Sequence, residues 1–539
     1  MSAGKAARRA GLALALLVAA AAFALYSMDN RFPGYYHVNE PDKGIQILKD
    51  ERNFLHPLLM LTATDAVGLV LGTPQTMQDA IQHGRVVSAL AAAAGVAALS
   101  LIGWSAGGWL GAVAVALFAG SSYVLYESAH YMKEDAVFTL GIGLFLLALV
   151  AFARRPSPGR AAVLGGACGL ALSAKYVGGV FLPLALAVIL LARAPSSASG
   201  AGPAEALPWR RRLAWMAVLL AALGFVVALV NYRAFTEFDR FERGFSTEWR
   251  HGVAGKLPDV DVAPTPVPHL RYRRNLKSVT PLILVLALAG VAQAIRRRGP
   301  KPELALVAAF SGWNLLVLSF SPLHSETYFL PVELGLRTLA GLMIPGIRDL
   351  KVFAKRPVLR GLGVGAALLV PLSAALPPLA KRIAAFRHDY RADLMRWMRD
   401  NLPADAIIAQ DGKARIPTPD DWRFAGATMH TPQRVLFSRH LSSEWGSVAA
   451  LRAKGVTHVI VAADDVRRYS RARGASTGQR SFYEELVQDS TLLWRSPSHE
   501  SWDTVLNPEL YLYALPSAAP QEGRAAGPAP GASGDGIAR

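Results

Sequence analysis

The sequence predicts a polytopic α-helical membrane protein carrying a small C-terminal α/β domain. Three observations lead there. Hydrophobic residues make up 52% of the 539-residue chain and charged residues only 18%, the opposite of the balance in a disordered basic protein. The apolar residues lie in long unbroken blocks instead of alternating with charge, as they would in a soluble enzyme. The blocks stop near residue 383, where charges, Trp and short β-branched runs take over.

A hydrocarbon core about 30 Å thick needs roughly 20 apolar residues per helix. Runs approaching that length fall at 11–27, 86–104, 107–126, 136–153, 161–174, 176–192, 213–235, 279–295, 303–321, 327–346 and 361–380, which makes about eleven spans. Lys175 divides the block from 161 to 192, because a lysine is costly at mid-bilayer but reaches the interface from a turn between two short helices. The first run has the basic flank and the small residues of a signal peptide, yet its length reads as an uncleaved anchor. Cys168 is the one cysteine and sits inside an apolar block, so no intrachain disulfide, zinc finger or CxxC chemistry is available.

The positive clusters orient these spans, since short cytoplasmic loops hold the excess of Lys and Arg. Lys5, Arg8 and Arg9 precede the first run; Arg154, Arg155 and Arg160 follow the fourth; Arg193 and Arg210 to Arg212 bracket a linker after the sixth. Arg296 to Arg298 with Lys301 join the eighth and ninth, and Arg348, Lys351, Lys355, Arg356 and Arg360 precede the last. All of them land on one side, the cytoplasm. The formal charge of +18 is thereby explained without a nucleic-acid partner. The expected organisation is a membrane module at 1–383 with exterior loops at 28–84 and 236–278, an exterior α/β domain at 384–515, and a disordered tail at 516–539. Residues 194–208 are Ala, Gly, Ser and Pro rich and read as a linker. In the exterior domain, helices are expected at 393–401 and 447–454 and strands at 406–409, 457–462 and 510–514.

Ionisable residues gather at the exterior ends of the spans, where the positive-inside rule does not require them, and charge at membrane depth marks function. The first exterior loop holds His37, Asn39, Glu40, Asp42 and Lys43, then His56. Glu127, His130, Lys133, Glu134 and Asp135 follow the third run; Arg85 opens the second; Lys175 and Tyr176 form the later turn; His324, Glu326 and Tyr328 open the tenth. Transfer of a group from a lipid phosphate needs a carboxylate to take a proton from the acceptor hydroxyl and fixed cations to stabilise the departing phosphate. Glu40, Asp42 or Asp135 suits the first task, and Arg85 and Lys175 suit the second. Each residue also has a plainer reading. Glu40 and Asp42 could be solvated loop charges, Glu134 and Asp135 could complement a helix dipole, Arg85 could snorkel, and His56 could be an interfacial packing residue. The Asp259-Val260-Asp261 triplet reads as solvated. A divalent metal on His130, His324, Glu326 and Glu40 is an open alternative with no ligand spacing to support it.

The pattern resembles the polyprenyl-phosphate-sugar-dependent glycosyltransferases of the GT-C superfamily, in the branch of protein O-mannosyltransferases and lipid A aminoarabinose transferases. Asn39-Glu40 stands in the place of an acidic pair on the first exterior loop, Arg85 in that of a basic phosphate ligand, Asp135 in that of a second acidic motif, and Lys175-Tyr176 in that of a Lys-aromatic turn. The segment from Ser325 to Pro331 is similar to the family's Arg-Tyr-Leu-Leu-Pro stretch, with Thr327 where the Arg would stand; His324, Arg271 or Arg273 could compensate. Asn39 replaces the Asp that is the usual candidate base, and Asn cannot accept a proton at physiological pH.

The resemblance implies catalytic roles for Glu40, Asp42 and Asp135. It implies substrate binding by Asn39, Arg85, Lys133, Glu134, Lys175, Tyr176, His324, Glu326 and Tyr328. It further implies a polyprenyl-phosphate-linked sugar donor, a protein, lipid or glycan acceptor, and a bacterial-type inner membrane with the N-terminus cytoplasmic and the C-terminal domain periplasmic. A transporter or flippase for a lipid-linked or small anionic substrate is the alternative. Transporters place charged and broken-helix residues near the midplane and show inverted repeats, whereas here the polar groups crowd one surface and no repeat is seen.

Overall fold

The computed structural model describes residues 3–30, 37, 39–193, 207–254, 278–296, 302–320, 326–348, 356–411, 414, 416, 431–437, 445–463, 465–467, 477–497 and 506–516. Most of the expected linker, nearly all of the expected tail, His324, Arg271, Arg273 and the Asp259–Asp261 triplet lie outside the described residues. The chain divides into two compact units, the first reaching Asp389 and the second beginning at Tyr390.

The first unit is helical. Its elements are α1 (Ala3–Ser27), α2 (Glu40–Leu48), α3 (Leu59–Leu71), α4 (Met77–Gly120), α5 (Tyr123–His130), α6 (Glu134–Arg154) and α7 (Pro158–Ala174). A 3-10 turn at Tyr176–Phe181 leads into α8 (Leu182–Leu190), followed by α9 (Trp209–Val230), α10 (Arg233–Thr236), α11 (Phe238–Ala254) and α12 (Pro281–Arg296). The unit closes with α13 (Pro302–Ser319), α14 (Glu326–Arg348) and α15 (Pro357–Arg387). Among the described residues, 7 helices are long and apolar enough to cross a membrane: α1, α4, α6, α9, α13, α14 and the one starting at Pro357. Shorter apolar helices occupy Leu59–Leu71, Tyr176–Leu190 and Pro281–Ile295. The protein is a multi-pass membrane protein.

The lower number of long helices than of expected runs has two causes. Several runs form helices of less than full span length, and two runs share α4. Gly107 (φ −146°, ψ 17°) and Gly108 (φ 65°, ψ −151°) break α4 with non-helical backbone. A Cβ on Gly103 would stand 2.3 Å from the carbonyl oxygen of Gly111. In a straight helix those residues would be about 12 Å apart, so the chain reverses at Gly108, which supplies the positive φ that other residues resist. The runs at 86–104 and 107–126 are thus two arms of a hairpin. Lys175 ends α7 in extended backbone, φ −153° and ψ 134°, at the place where the lysine argument divides 161–192.

Helix α4 is the hub and packs against α1, α6 and α14, while α7 packs most extensively against α9. That last seam is built on glycine. A Cβ on Gly165 would lie 2.1 Å from the Leu219 carbonyl oxygen, and one on Gly169 would lie 2.8 Å from that of Leu223. In lipid, where no hydrophobic force drives helices together, such close backbone approach is what holds them.

The second unit contains α16 (Tyr390–Asn401), α17 (Val448–Ala453), α18 (Thr477–Asp489) and five strands, β1 (Ile407–Gln410), β2 (Arg434–Phe437), β3 (His458–Ala462), β4 (Thr491–Arg495) and β5 (Leu510–Ala514). The sheet order is β2-β1-β3-β5-β4, with β1 parallel to β2 and β3 and β5 antiparallel to β3 and β4. Period-2 alternation sorts its side chains to two faces. Val459 and Val461 join Leu451, Phe482 and Leu486 in one core, whereas Ile408, Ile460 and Leu512 meet Leu394, Met395 and Met398 in the other. The expected strands at 406–409, 457–462 and 510–514 are β1, β3 and β5; β2, β4 and α18 have no counterpart in the sequence reading.

Candidate active site

The charged residues from the distant segments of the first unit meet around the start of α6. The chain between α5 and α6 is extended at Tyr131 and Lys133, which exposes main-chain polar groups that must find partners away from water. Met132 shows how. Its N–H donates to Glu40 Oε1 at 2.9 Å, and its carbonyl oxygen accepts from Lys43 Nζ at 2.8 Å.

Glu40 is the first residue of α2. Its carboxylate takes both arms of the Arg85 guanidinium from α4, Nε to Oε1 at 2.9 Å and Nη2 to Oε2 at 3.0 Å. Both side chains have 0% exposure. The Arg85 Nη1 also donates to the Asn30 carbonyl oxygen at 3.4 Å. With the Met132 N–H added, both carboxylate oxygens are engaged, which is how a buried ion pair survives desolvation. The two residues expected as proton acceptor and phosphate ligand therefore form a saturated pair without surface for a substrate.

A second set of charges lies beside it. Lys43 Nζ is 2.8 Å from Glu134 Oε1. Lys175 Nζ is 2.7 Å from Asp135 Oδ1 and 4.1 Å from the centre of the Tyr328 ring, and Lys133 Nζ is 3.6 Å from Asp135 Oδ2. Lys43, Glu134, Asp135 and Lys175 are buried, and Lys133 is half-buried. In these direct ion pairs three ammonium groups share two carboxylates, and Glu248 of α11 is a further carboxylate near Tyr328 and His56.

The loop carrying His56 borders this set and is pinned on both sides. Tyr176 donates its hydroxyl to the Phe54 carbonyl oxygen at 2.9 Å. The Leu58 N–H donates to Asn231 Oδ1 at 2.8 Å, and the Asn231 amide donates in turn to Ser173 Oγ at 2.8 Å. Phe54 is held at φ 52°, a left-handed backbone that costs about 1–3 kcal/mol and gathers at functional sites. Burial pushes the half-buried His56 imidazole below the usual histidine range; Glu134 and Glu248 oppose this, and Lys43 and Lys175 reinforce it.

The other expected residues lie as follows. Asn39 precedes α2, half-buried, its N–H donating to His37 Nδ1 at 3.2 Å. Asp42 is exposed on α2. Glu326 is half-buried and accepts from the Tyr123 hydroxyl at 3.2 Å. Neither His130 nor Glu40 is poised to hold a metal: the His130 ring nitrogens each lie 2.8 Å from a carbonyl oxygen, of Tyr126 and of Met28. Among the described residues no group of three His, Cys, Asp or Glu side chains could hold a metal ion.

Two buried ion pairs are absent from the sequence reading. Arg337 Nε meets Glu333 Oε1 at 2.8 Å within α14. Arg337 also donates to the carbonyl oxygens of Phe118 and Ser278 at 2.9 and 2.7 Å, and Ser122 donates to Glu333 at 2.7 Å. Arg382 Nε lies 3.2 Å from Glu127 Oε2. The run at 327–346 contains Glu333 and Arg337 at helical i,i+4 spacing, which is the signal that finds such a pair.

No family model and no curated protein matches the chain. Solved structures do. The structure of ArnT from Cupriavidus metallidurans bound to undecaprenyl phosphate superposes with a TM-score of 0.51 at 13% identity, covering 95% of this chain and 99% of that one. The Archaeoglobus fulgidus oligosaccharyltransferase tethered to an acceptor peptide superposes with a TM-score of 0.50 at 12% identity, covering 94% of this chain and 74% of that one. At these identities the likeness establishes a shared fold.

Proposed function

We propose that the protein is an integral membrane glycosyltransferase that moves a sugar from a polyprenyl-phosphate-linked donor to an acceptor hydroxyl, with inversion at the anomeric carbon. The observation that carries this reading is the gathering of Lys43, Lys133 and Lys175 with Glu134 and Asp135 at the start of α6, in a chain with the fold of transferases that include one solved with undecaprenyl phosphate. Direct displacement moves negative charge onto the leaving phosphate, and preorganised cations at that point lower the barrier. Lys175, steadied by Asp135 and the Tyr328 ring, and Lys133 supply those cations. Glu134 sets Lys43. Glu40 and Arg85 act as a strut that holds α2 to α4 and fixes the Met132 backbone; this assigns them support in place of chemistry. The positive clusters of the sequence support an exterior position for this end of the bundle, at the periplasmic face if the membrane is a bacterial inner one, where the isoprenoid tail stays in lipid.

A radiolabelled-sugar assay tests the proposal. The full chain in sealed proteoliposomes is supplied with undecaprenyl-phosphate mannose, glucose, arabinofuranose or aminoarabinose and a membrane extract as acceptor source. Transfer of label from one donor is the expected result; carriage of intact donor across a sealed bilayer without transfer would overturn it.

A further inference from the structure

We propose that His56 is the base that takes the proton from the acceptor hydroxyl, an inference that rests on the transferase reading above. The carboxylates beside the lysines are committed: Glu134 to Lys43 at 2.8 Å and Asp135 to Lys175 at 2.7 Å. A carboxylate neutralised by an ammonium is a poor proton acceptor. Glu40 is sealed against Arg85 at 0% exposure, and Asp42 is exposed on α2. His56 differs from all four. It is half-buried, and among the described residues no hydrogen bond engages its ring. The charged groups around it come from four elements: Lys43 of α2, Glu134 of α6, Lys175 after α7 and Glu248 of α11.

The loop is built to place this ring. Phe54 is kept in the left-handed region, its carbonyl oxygen tied to Tyr176 and the Leu58 N–H tied to Asn231. Strain of this kind persists only where the surroundings over-determine it. The ring that the ties present is neutral at neutral pH, since burial holds its affinity for a proton below that of an ordinary histidine; it has a lone pair to offer. In the step, the acceptor oxygen bonds to the anomeric carbon as its proton passes to an imidazole nitrogen of His56. The bond from the anomeric carbon to the phosphate oxygen breaks, and its electron pair stays on the phosphate, which faces Lys175. The imidazolium returns its proton to water.

The assay above, run from pH 5 to 9 on the wild type, H56Q and H56A, tests this. In the wild type the rate should fall on the acid side with a midpoint below about 6.5, because His56 protonates there. H56Q should lose about 100-fold or more in rate, keep undecaprenyl-phosphate binding within about twofold, and lose the acid limb; added imidazole should restore part of the H56A rate. If H56Q stays within threefold of wild type with its acid limb intact, the assignment to His56 fails and the transferase reading stands. A wild type without any acid limb also overturns it, whatever the folding of the variants. A wild type that transfers from none of the donors overturns the transferase reading and this inference with it.

Discussion

The ion pairs at the start of α6 and the pair inside α14 solve the same problem differently. In α14, roughly 16 Å of helix separates Arg337 from the first residue, Glu326, and the charges there balance one to one. The Arg337 donors are spent on Glu333, two backbone carbonyls and the Ser121 hydroxyl. In the direct ion pairs at the start of α6 three lysines share two carboxylates, and Lys133 is half-buried instead of sealed. Burial of charge is common to both regions, so it does not distinguish structure from chemistry. An unbalanced count next to partly exposed side chains does. By that measure Glu40–Arg85 belongs with Glu333–Arg337, although it sits beside the lysines.

Breaking the pairs sharpens this contrast. The largest effect is expected for Glu40→Gln, which strands the Arg85 guanidinium in a sealed site and should cost about 3–5 kcal/mol, read as a lower melting temperature in detergent. The double variant E40L/R85M should recover most of that loss while transfer stays low, because the Met132 backbone loses its anchor; a double variant as unstable as the single one would remove the strut argument. Arg337→Leu should destabilise comparably by stranding Glu333, yet leave undecaprenyl-phosphate affinity nearly unchanged in the surviving folded protein. Lys175→Ala should weaken donor binding about tenfold to hundredfold, the worth of one charge-assisted hydrogen bond, and should lower the melting temperature less than Arg337→Leu, because Lys133 remains 3.6 Å from the Asp135 carboxylate that the change leaves behind. If R337L weakened donor binding more than K175A, the distinction by charge balance would be lost.

The smallest effect lies in the second unit. His458 begins β3, half-buried, and burial lowers its affinity for a proton. The unfolded chain therefore binds a proton that the fold resists, so the stability of this unit should be full above about pH 6.5 and decline as pH falls through the lower folded value. Hydrogen exchange of the β3 amides between pH 7.5 and 5.5 reads this directly, and His458→Asn should flatten the dependence.

What could be read in advance follows from the range of each physical signal. Membrane spans announce themselves within about 20 residues, and Lys175 divides its apolar block where α7 ends. The alternation in β1, β3 and β5 is likewise local. Strand β2 has only four residues and β4 lies on the sheet edge with most side chains exposed, so neither carries a periodic signal of its own. The site residues were recognisable as types but not as partners, because Glu40 and Arg85 are 45 residues apart and Lys175 and Asp135 are 40 apart. Without partners, a carboxylate that braces two helices looks the same as one that takes a proton. His56 shows the limit most clearly. In the sequence it is a histidine before a proline; its significance comes from Asn231, Tyr176 and Glu134, which belong to other segments.

The glycine seam between α7 and α9 has a reach beyond its own contacts. Helix α9 ends at Val230, and the next residue is Asn231, whose amide is bonded to Ser173 near the end of α7 and to Leu58. Sliding α9 by one residue along α7 would shift that amide by about 1.5 Å and swing it through about 100°, enough to release the main chain two positions after His56. Gly165 and Gly169 thus act as a ruler laid along the interior of the bundle, and a methyl group added there should be felt as lost catalytic alignment well before it is felt as unfolding.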